Sequence, residues 1–163
     1  MEKFIGIKPE GFRAPRFMVN ETVLCVLEEE GFLYDSSVIP SWRLGRYSHL
    51  RAPRHPYFPT LKRELIEIPI SVLNVIRIPV GLPWMNLLGY GFFTSLLSVF
   101  GITSPLVFYM HLHDLPGEGV SNLIRFLVFL RERGTSFVRA VDLAREFKKI
   151  LGSSHRGGKE CVC

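Results

Sequence analysis

The 33 residues from Ile78 to Met110 carry no formal charge, and a run of that length is not left in water. About 20 apolar residues suffice to cross a bilayer, so the choice lies between a membrane and the inside of a folded domain. The punctuation favours the second. Pro83, Gly89, Gly91, Gly101 and Pro105 interrupt the run. Its last part, "PLVFYMHL", leads directly into His111, His113 and Asp114. We therefore expect a largely buried helix over "PWMNLLGYGFFTSLLSVFG", then a buried strand at "PLVFYMHLHDL" bounded by Pro105 and Pro116. A small membrane-associated protein anchored through Trp84 to Phe100 is the competing reading.

The flanking sequence alternates strand and helix signals. "EGFRAP" is short and extended, and Pro15 forces Ala14 out of the helical region. "NETVLCVLEEEG" has Asn20 as N-cap, Glu21 in the first turn, an apolar face of Val23, Leu24, Val26 and Leu27, and Gly31 as its stop. "FLYDSSV" is a second short strand. "ELIEIPIS" alternates in strand fashion, with Glu64 and Leu65 facing opposite ways, and "VIRIPVG" continues or pairs with it. "GVSNLIRFLVFLRERG" is an amphipathic helix closed by Gly134, and "SFVRAVDLAREFKKILG" ends in a further helix. Repeated β-then-α order predicts an α/β fold of parallel strands with outer helices. At 163 residues, 47% hydrophobic and 21% charged, the chain can bury a sizeable core as one domain over residues 1–152.

The formal net charge is +5, and the cations are unevenly placed. Arg43, Arg46, Arg51, Arg54, Lys62 and Arg63, with His49 and His55, fall between Ser36 and Arg63 with no acid among them. Such a stretch suits an anionic glycan or nucleic acid, or is a solvated loop whose arginines pair with acids elsewhere. Three cysteines make no disulfide framework in a chain this long. Cys25 falls in the first helical pattern as a small core residue, while Cys161 and Cys163 end a tail, residues 153–163, expected to be disordered. "MEKFIGIKPEGF" lacks a long apolar core and a small-residue cleavage site, so a cytoplasmic location is expected.

Two constellations carry chemistry. A strand through "YMHLHD" sets Tyr109, His111 and His113 on one face. That allows a metal pair, a single catalytic histidine at a strand end, or one hydrogen-bonded core histidine beside one at the solvent edge. The second constellation is dispersed: Arg13, Asp35 and His111 each lie at the end of an expected strand. If the strands are parallel, the three gather at one rim, where active sites of α/β folds form. A carboxylate beside an imidazole fixes its tautomer and raises its pKa, which suits a general acid. A buried ion pair locking two strands is the structural alternative.

"GIKPEGFRAPRF", "GFLYDSSVIP", "EIPIS" and "PLVFYMHLHDL", in that order from Ile7 to Leu115, resemble the polysaccharide deacetylase family of metal-dependent enzymes that remove N-acetyl groups from glycans. The resemblance implies the C-terminal portion of a distorted (β/α) barrel. It implies that Arg13 orients a catalytic-base aspartate, that Asp35 supports a catalytic histidine, and that His111 is that histidine, the acid for the leaving amine. Tyr109 would line the acetyl pocket and Pro15 the substrate side of the first strand end.

The family's paired-aspartate and histidine-x-x-x-histidine motifs have no counterpart here. The chain holds three aspartates, none adjacent to another, and His49 and His55 stand too far apart to imitate the second motif. No metal ligand is therefore assigned in this chain, while a divalent, zinc-like metal is expected for the complete family domain. Without a metal to polarise the carbonyl and activate water, the chain alone is expected to be inactive. The expected partners are a separately encoded N-terminal half or a second copy, with an N-acetylated glycan as substrate. Nucleic acid and membrane are not expected.

Overall fold

The computed structural model describes residues 6–42 and 49–153. Arg43, Arg46 and residues 154–163 of the expected disordered tail lie outside the described residues, whereas Ser153 is the last residue of a helix. Three strands, β1 (Gly11–Phe12), β2 (Tyr34–Asp35) and β3 (Ile66–Glu67), form a parallel sheet in the order β1-β2-β3. Five helices accompany it: α1 (Glu21–Glu29), α2 (Leu82–Leu88), α3 (Tyr90–Phe100), α4 (Gly119–Glu132) and α5 (Ala140–Ser153). This is a mixed α/β architecture whose sheet is open.

Local signals place α1 as expected. Asn20 Oδ1 accepts the Val23 amide at 3.0 Å, and Gly31 takes φ +72° just past the end. Helix α1 lays Leu24 and Leu27 against Ala14, Val19, Val38 and Leu65. On β3, Ile66 and Ile68 pack instead against Ala144 of α5, with Leu143 and Leu151 around them. Alternation along the strand thus puts Leu65 and Glu67 on one face and Ile66 and Ile68 on the other. Residues 65–73 are buried without interruption, as expected where a parallel sheet is covered on both faces. Helix α5 is further tied by Arg145 Nη2, which donates to both Glu10 carboxylate oxygens at 2.9 and 2.7 Å, and by Lys148 Nζ donating to the Glu64 carbonyl at 2.8 Å.

The uncharged run builds the other half of the molecule. Leu82, Met85, Phe93 and Leu97 of α2 and α3 close on Phe126 and Leu130 of α4, with Leu73 and Val80 beneath. Here the structure corrects two expectations. The helix is not largely buried: it breaks at Gly89, where φ is +82°, and Leu87, Phe92 and Val99 are exposed. Nor is "PLVFYMHLHDL" a strand. Tyr109 makes a single parallel bridge to Gly81, and Leu112–Asp114 turn as a 3-10 helix. Asp114 causes the turn by folding back, its Oδ2 accepting the His111 amide at 2.6 Å. "VIRIPVG" pairs back rather than continuing, through an antiparallel bridge of Val72 to Pro79. Among the described residues, no helix is long and apolar enough to cross a membrane.

Glu28 joins α1 to the segment entering β3. It is 4% exposed, and its Oε1 accepts from Thr60 Oγ1 at 2.5 Å and from the Glu64 and Leu65 amides at 2.9 and 3.3 Å. Removing that acceptor leaves several donors unpaired, at 1–3 kcal/mol for each buried group. Glu28→Ala is expected to lower unfolding stability by about 3 kcal/mol in urea titrations, with Glu28→Gln losing about half as much.

Candidate functional site

The carboxyl ends of the three strands meet in a network of side-chain bonds. Arg13 follows β1, and its Nε donates to the Ser36 carbonyl while its Nη2 donates to Ser36 Oγ, both at 2.8 Å. Ser36 Oγ in turn donates to the Ile68 carbonyl at 2.7 Å, so a single serine ties β1 to β3. Ser37 Oγ accepts the Ala14 amide at 2.8 Å and donates to Asp35 Oδ1 at 2.6 Å. The Val38 amide donates to Glu67 Oε1 at 3.0 Å. The Ala14 and Val38 amides thus find side-chain acceptors, while the Ser36 and Ile68 amides bond the Phe12 and Asp35 carbonyls at 3.0 and 2.8 Å, so buried polar groups are paired.

Asp35 stands directly opposite Glu67 in the parallel register, and both are 0% exposed. With Oδ1 and Oε1 occupied, Asp35 Oδ2 and Glu67 Oε2 are buried without a donor from elsewhere. Burial pushes Glu67 well above the ordinary carboxylate range, and the neighbouring Asp35 pushes in the same direction. Burial also raises Asp35, opposed by its neighbour Glu67 and by the bond from Ser37. Tyr57 pairs with Glu67 through backbone bonds at 3.1 and 2.8 Å. Its hydroxyl is raised first by burial and then by the charges of Glu67 and Asp35. Partial desolvation lowers the Arg13 guanidinium, while Asp35, Glu67 and Tyr34 act the other way.

Arg13 and Asp35 are thus brought together, through Ser36 and Ser37. His111 is not part of that network. Phe17 lies between them: the Arg13 guanidinium sits 5.8 Å from the Phe17 ring centre, and the same ring meets Tyr109 at 5.2 Å and His111 at 6.0 Å. Phe17 reaches this place because Arg16 and Phe17 both adopt φ +57°, reversing the chain after Pro15. Such a conformation costs about 1–2 kcal/mol per residue and persists where its surroundings over-determine it. Pro15 itself is exposed. Tyr109 is 8% exposed, its ring lying over Gly81 where a Cβ would collide with it. Tyr34 covers Gly11 in the same way.

Asp114, not Asp35, is the carboxylate beside the histidines. It accepts the His111 amide, its own amide donates to the His111 carbonyl at 3.0 Å, and its Oδ1 lies 3.6 Å from His113 Nε2. The two imidazoles stack, with centres 5.0 Å apart and planes 10° apart. In-plane lone pairs of stacked rings run side by side rather than converging, and among the described residues no three His, Cys, Asp or Glu side chains come together to hold a metal ion. These residues do not fit a metal centre.

A cleft of about 930 Å³ opens beside the network. Arg13, Tyr34, Ser36 and Ile68 form one wall, Ser104–Phe108 and the Gly134–Val138 connection the others. Neither Asp35 nor Glu67 lines it, so Arg13 and Ser36 are the members of the network that meet its contents. In the basic stretch, Arg54 bonds Asn74 at 2.6 Å, Lys62 approaches Glu29 at 3.9 Å and Arg63 lies over Phe58.

Residues 36–150 match the family described as a domain of unknown function, DUF3473. The chain belongs to that family. DUF3473 is associated with polysaccharide deacetylase-like proteins. The matched span contains Ser36, Ser37, Glu67, Tyr109 and His111, whereas Arg13 and Asp35 precede it. No curated protein and no solved structure matches the chain.

Glu67, Ser36, Ser37 and Phe17 are the site residues that sequence reasoning did not single out. The signal for Glu67 was an acid flanked by Ile66 and Ile68 in a run otherwise apolar. Removing Ser37 Oγ leaves the Ala14 amide and Asp35 Oδ1 without their partner. Ser37→Ala is therefore expected to lower stability by about 3 kcal/mol, read from the urea midpoint at unchanged m-value.

Proposed function

We propose that this DUF3473 chain supplies the acid side of a polysaccharide deacetylase-type active site, acting on the acetamide of an N-acetylated glycan. The observation that carries the reading is the joining of Arg13 and Ser36 on the rim of a cleft at the carboxyl ends of adjacent parallel strands, with Asp35 buried behind them on Ser37. Association of DUF3473 with polysaccharide deacetylase-like proteins supports the same class. In this reading the open three-stranded sheet is part of a (β/α) barrel completed by a further polypeptide segment, separately encoded or contributed by another copy. That segment brings the base, the divalent metal, zinc-like, and its ligands.

The roles of this chain follow from its chemistry. Arg13 presents a fixed positive charge at the cleft and orients a carboxylate from the completing segment. His111, placed by the bond from its backbone amide to Asp114, acts as imidazolium and protonates the amine as the C–N bond breaks, becoming neutral imidazole, while the oxygen of water stays on the released acetate. Tyr109 and Phe17 form the apolar wall between these two groups. Positioned acids of this kind contribute 10²–10⁴-fold.

The test combines the purified chain with an N-terminal deacetylase half carrying paired aspartates and spaced histidines, in the presence of zinc. Acetate release from an N-acetylglucosamine oligomer is measured. Activity is expected only from the mixture, falling about 100-fold in His111→Ala and in Arg13→Ala. No complex and no gain in acetate would contradict the proposal.

A further inference from the structure

We infer that Asp35 and Glu67 share one proton across the β2–β3 register, and that Glu67 is thereby a positioning residue for Arg13. Two fully ionised carboxylates at facing positions of adjacent strands repel, and at 0% exposure no water screens them. Each already has one oxygen occupied, by Ser37 Oγ on Asp35 and by the Val38 amide on Glu67. The two remaining oxygens, Asp35 Oδ2 and Glu67 Oε2, have no donor from elsewhere. A proton held between the carboxyls satisfies both at once and leaves the pair with a single negative charge. Burial works hardest against ionisation of Glu67, so Glu67 carries the proton and Asp35 accepts it.

The consequence runs outward along the network. Charged Asp35 holds the Ser37 hydroxyl in the orientation that accepts the Ala14 amide, which anchors the turn carrying Arg13. Among the described residues, the titratable or charged groups facing the pair are Arg13 from the end of β1 and Tyr57 from the segment bonded to β3, with Tyr34 beside Arg13. With one negative charge on the pair, Arg13 stays on Ser36 and faces the cleft. With two, the guanidinium is drawn off Ser36 towards the carboxylates or the strands part. The role given to Arg13 rests on the function proposed above; the shared proton does not.

The sign of the pH dependence follows. A carboxyl whose value is raised by folding stabilises the fold fully at and below its ordinary value, about 4.5 for Glu67. That contribution is lost as pH climbs through the raised value. The experiment uses the full chain. Infrared spectra at neutral pH are compared for the wild type and Glu67→Gln, whose amide mimics a protonated acid, and urea stability is followed from about pH 4.5 upward. The wild type is expected to show the carbonyl band of a protonated carboxylic acid, absent in Glu67→Gln. Wild-type stability should decline with rising pH, and the Glu67→Gln curve should lack that decline. Glu67→Ala should be weaker than both throughout. No protonated-acid band in the wild type, or an undiminished decline in Glu67→Gln, would overturn the inference. Should Glu67→Gln fail to fold, the wild-type band alone decides. Neither readout uses activity, so a negative acetate assay leaves this result standing.

Discussion

Strands of two residues each cannot hold a sheet in register through their backbone ladders, because so short a pairing carries too few bonds. What fixes this sheet is the cross-linking of its strand ends by Arg13, Ser36, Ser37, Asp35 and Glu67. Ser36 reaches from the end of β1 to the residue after β3, and Ser37 reaches back to Ala14. The carboxyl pair spans the remaining gap between β2 and β3. Slipping any strand by one residue would turn these side chains to the opposite face, leaving buried carboxyls and amides unsatisfied. The polar network thus specifies register more strongly than the apolar packing around it, which would tolerate many arrangements.

The same bonds create the surface on which the function depends. Arg13 is held by a backbone carbonyl and a hydroxyl rather than neutralised by a direct carboxylate pair, so its charge remains directed to the cleft. The reversed turn at Arg16 and Phe17 then inserts an aromatic ring between this arginine and the histidine turn. That turn is organised separately: Asp114 locks His111, Asn86 Nδ2 donates to the Asp114 carbonyl at 2.8 Å, and Asn86 Oδ1 accepts from Asn122 Nδ2 at 3.0 Å. Two rigid units, each with its own buried carboxylate, therefore face one another across Phe17.

Much of this was legible in sequence where the signal was local. Asn20 and Gly31 bounded α1, Pro15 fixed Ala14 as extended (φ −64°, ψ 138°), and the period of "GVSNLIRFLVFLRERG" marked α4. The parallel order followed from alternating elements. Misreadings arose where tertiary partners decide. "PLVFYMHLHDL" has strand composition, yet only Tyr109 finds a bridging partner, and Asp114 bends the chain by capping His111. The apolar helix divided at Gly89 and left one side bare because composition does not state which side meets a neighbour. Asp35 was read as a partner for His111, whereas its nearest polar neighbours are Ser37 and Glu67. Pairing Asp35 with Glu67 requires the β2–β3 register, and no spacing within one chain reveals that.

The claim that side chains rather than ladders lock the strand ends is tested most directly by amide hydrogen exchange at Ala14 and Val38. These two amides reach no backbone acceptor and are held by Ser37 Oγ and Glu67 Oε1. If the network is the lock, both exchange only through global unfolding, with the protection of the central core. Exchange as fast as that of exposed loop amides such as Arg51 would contradict the account.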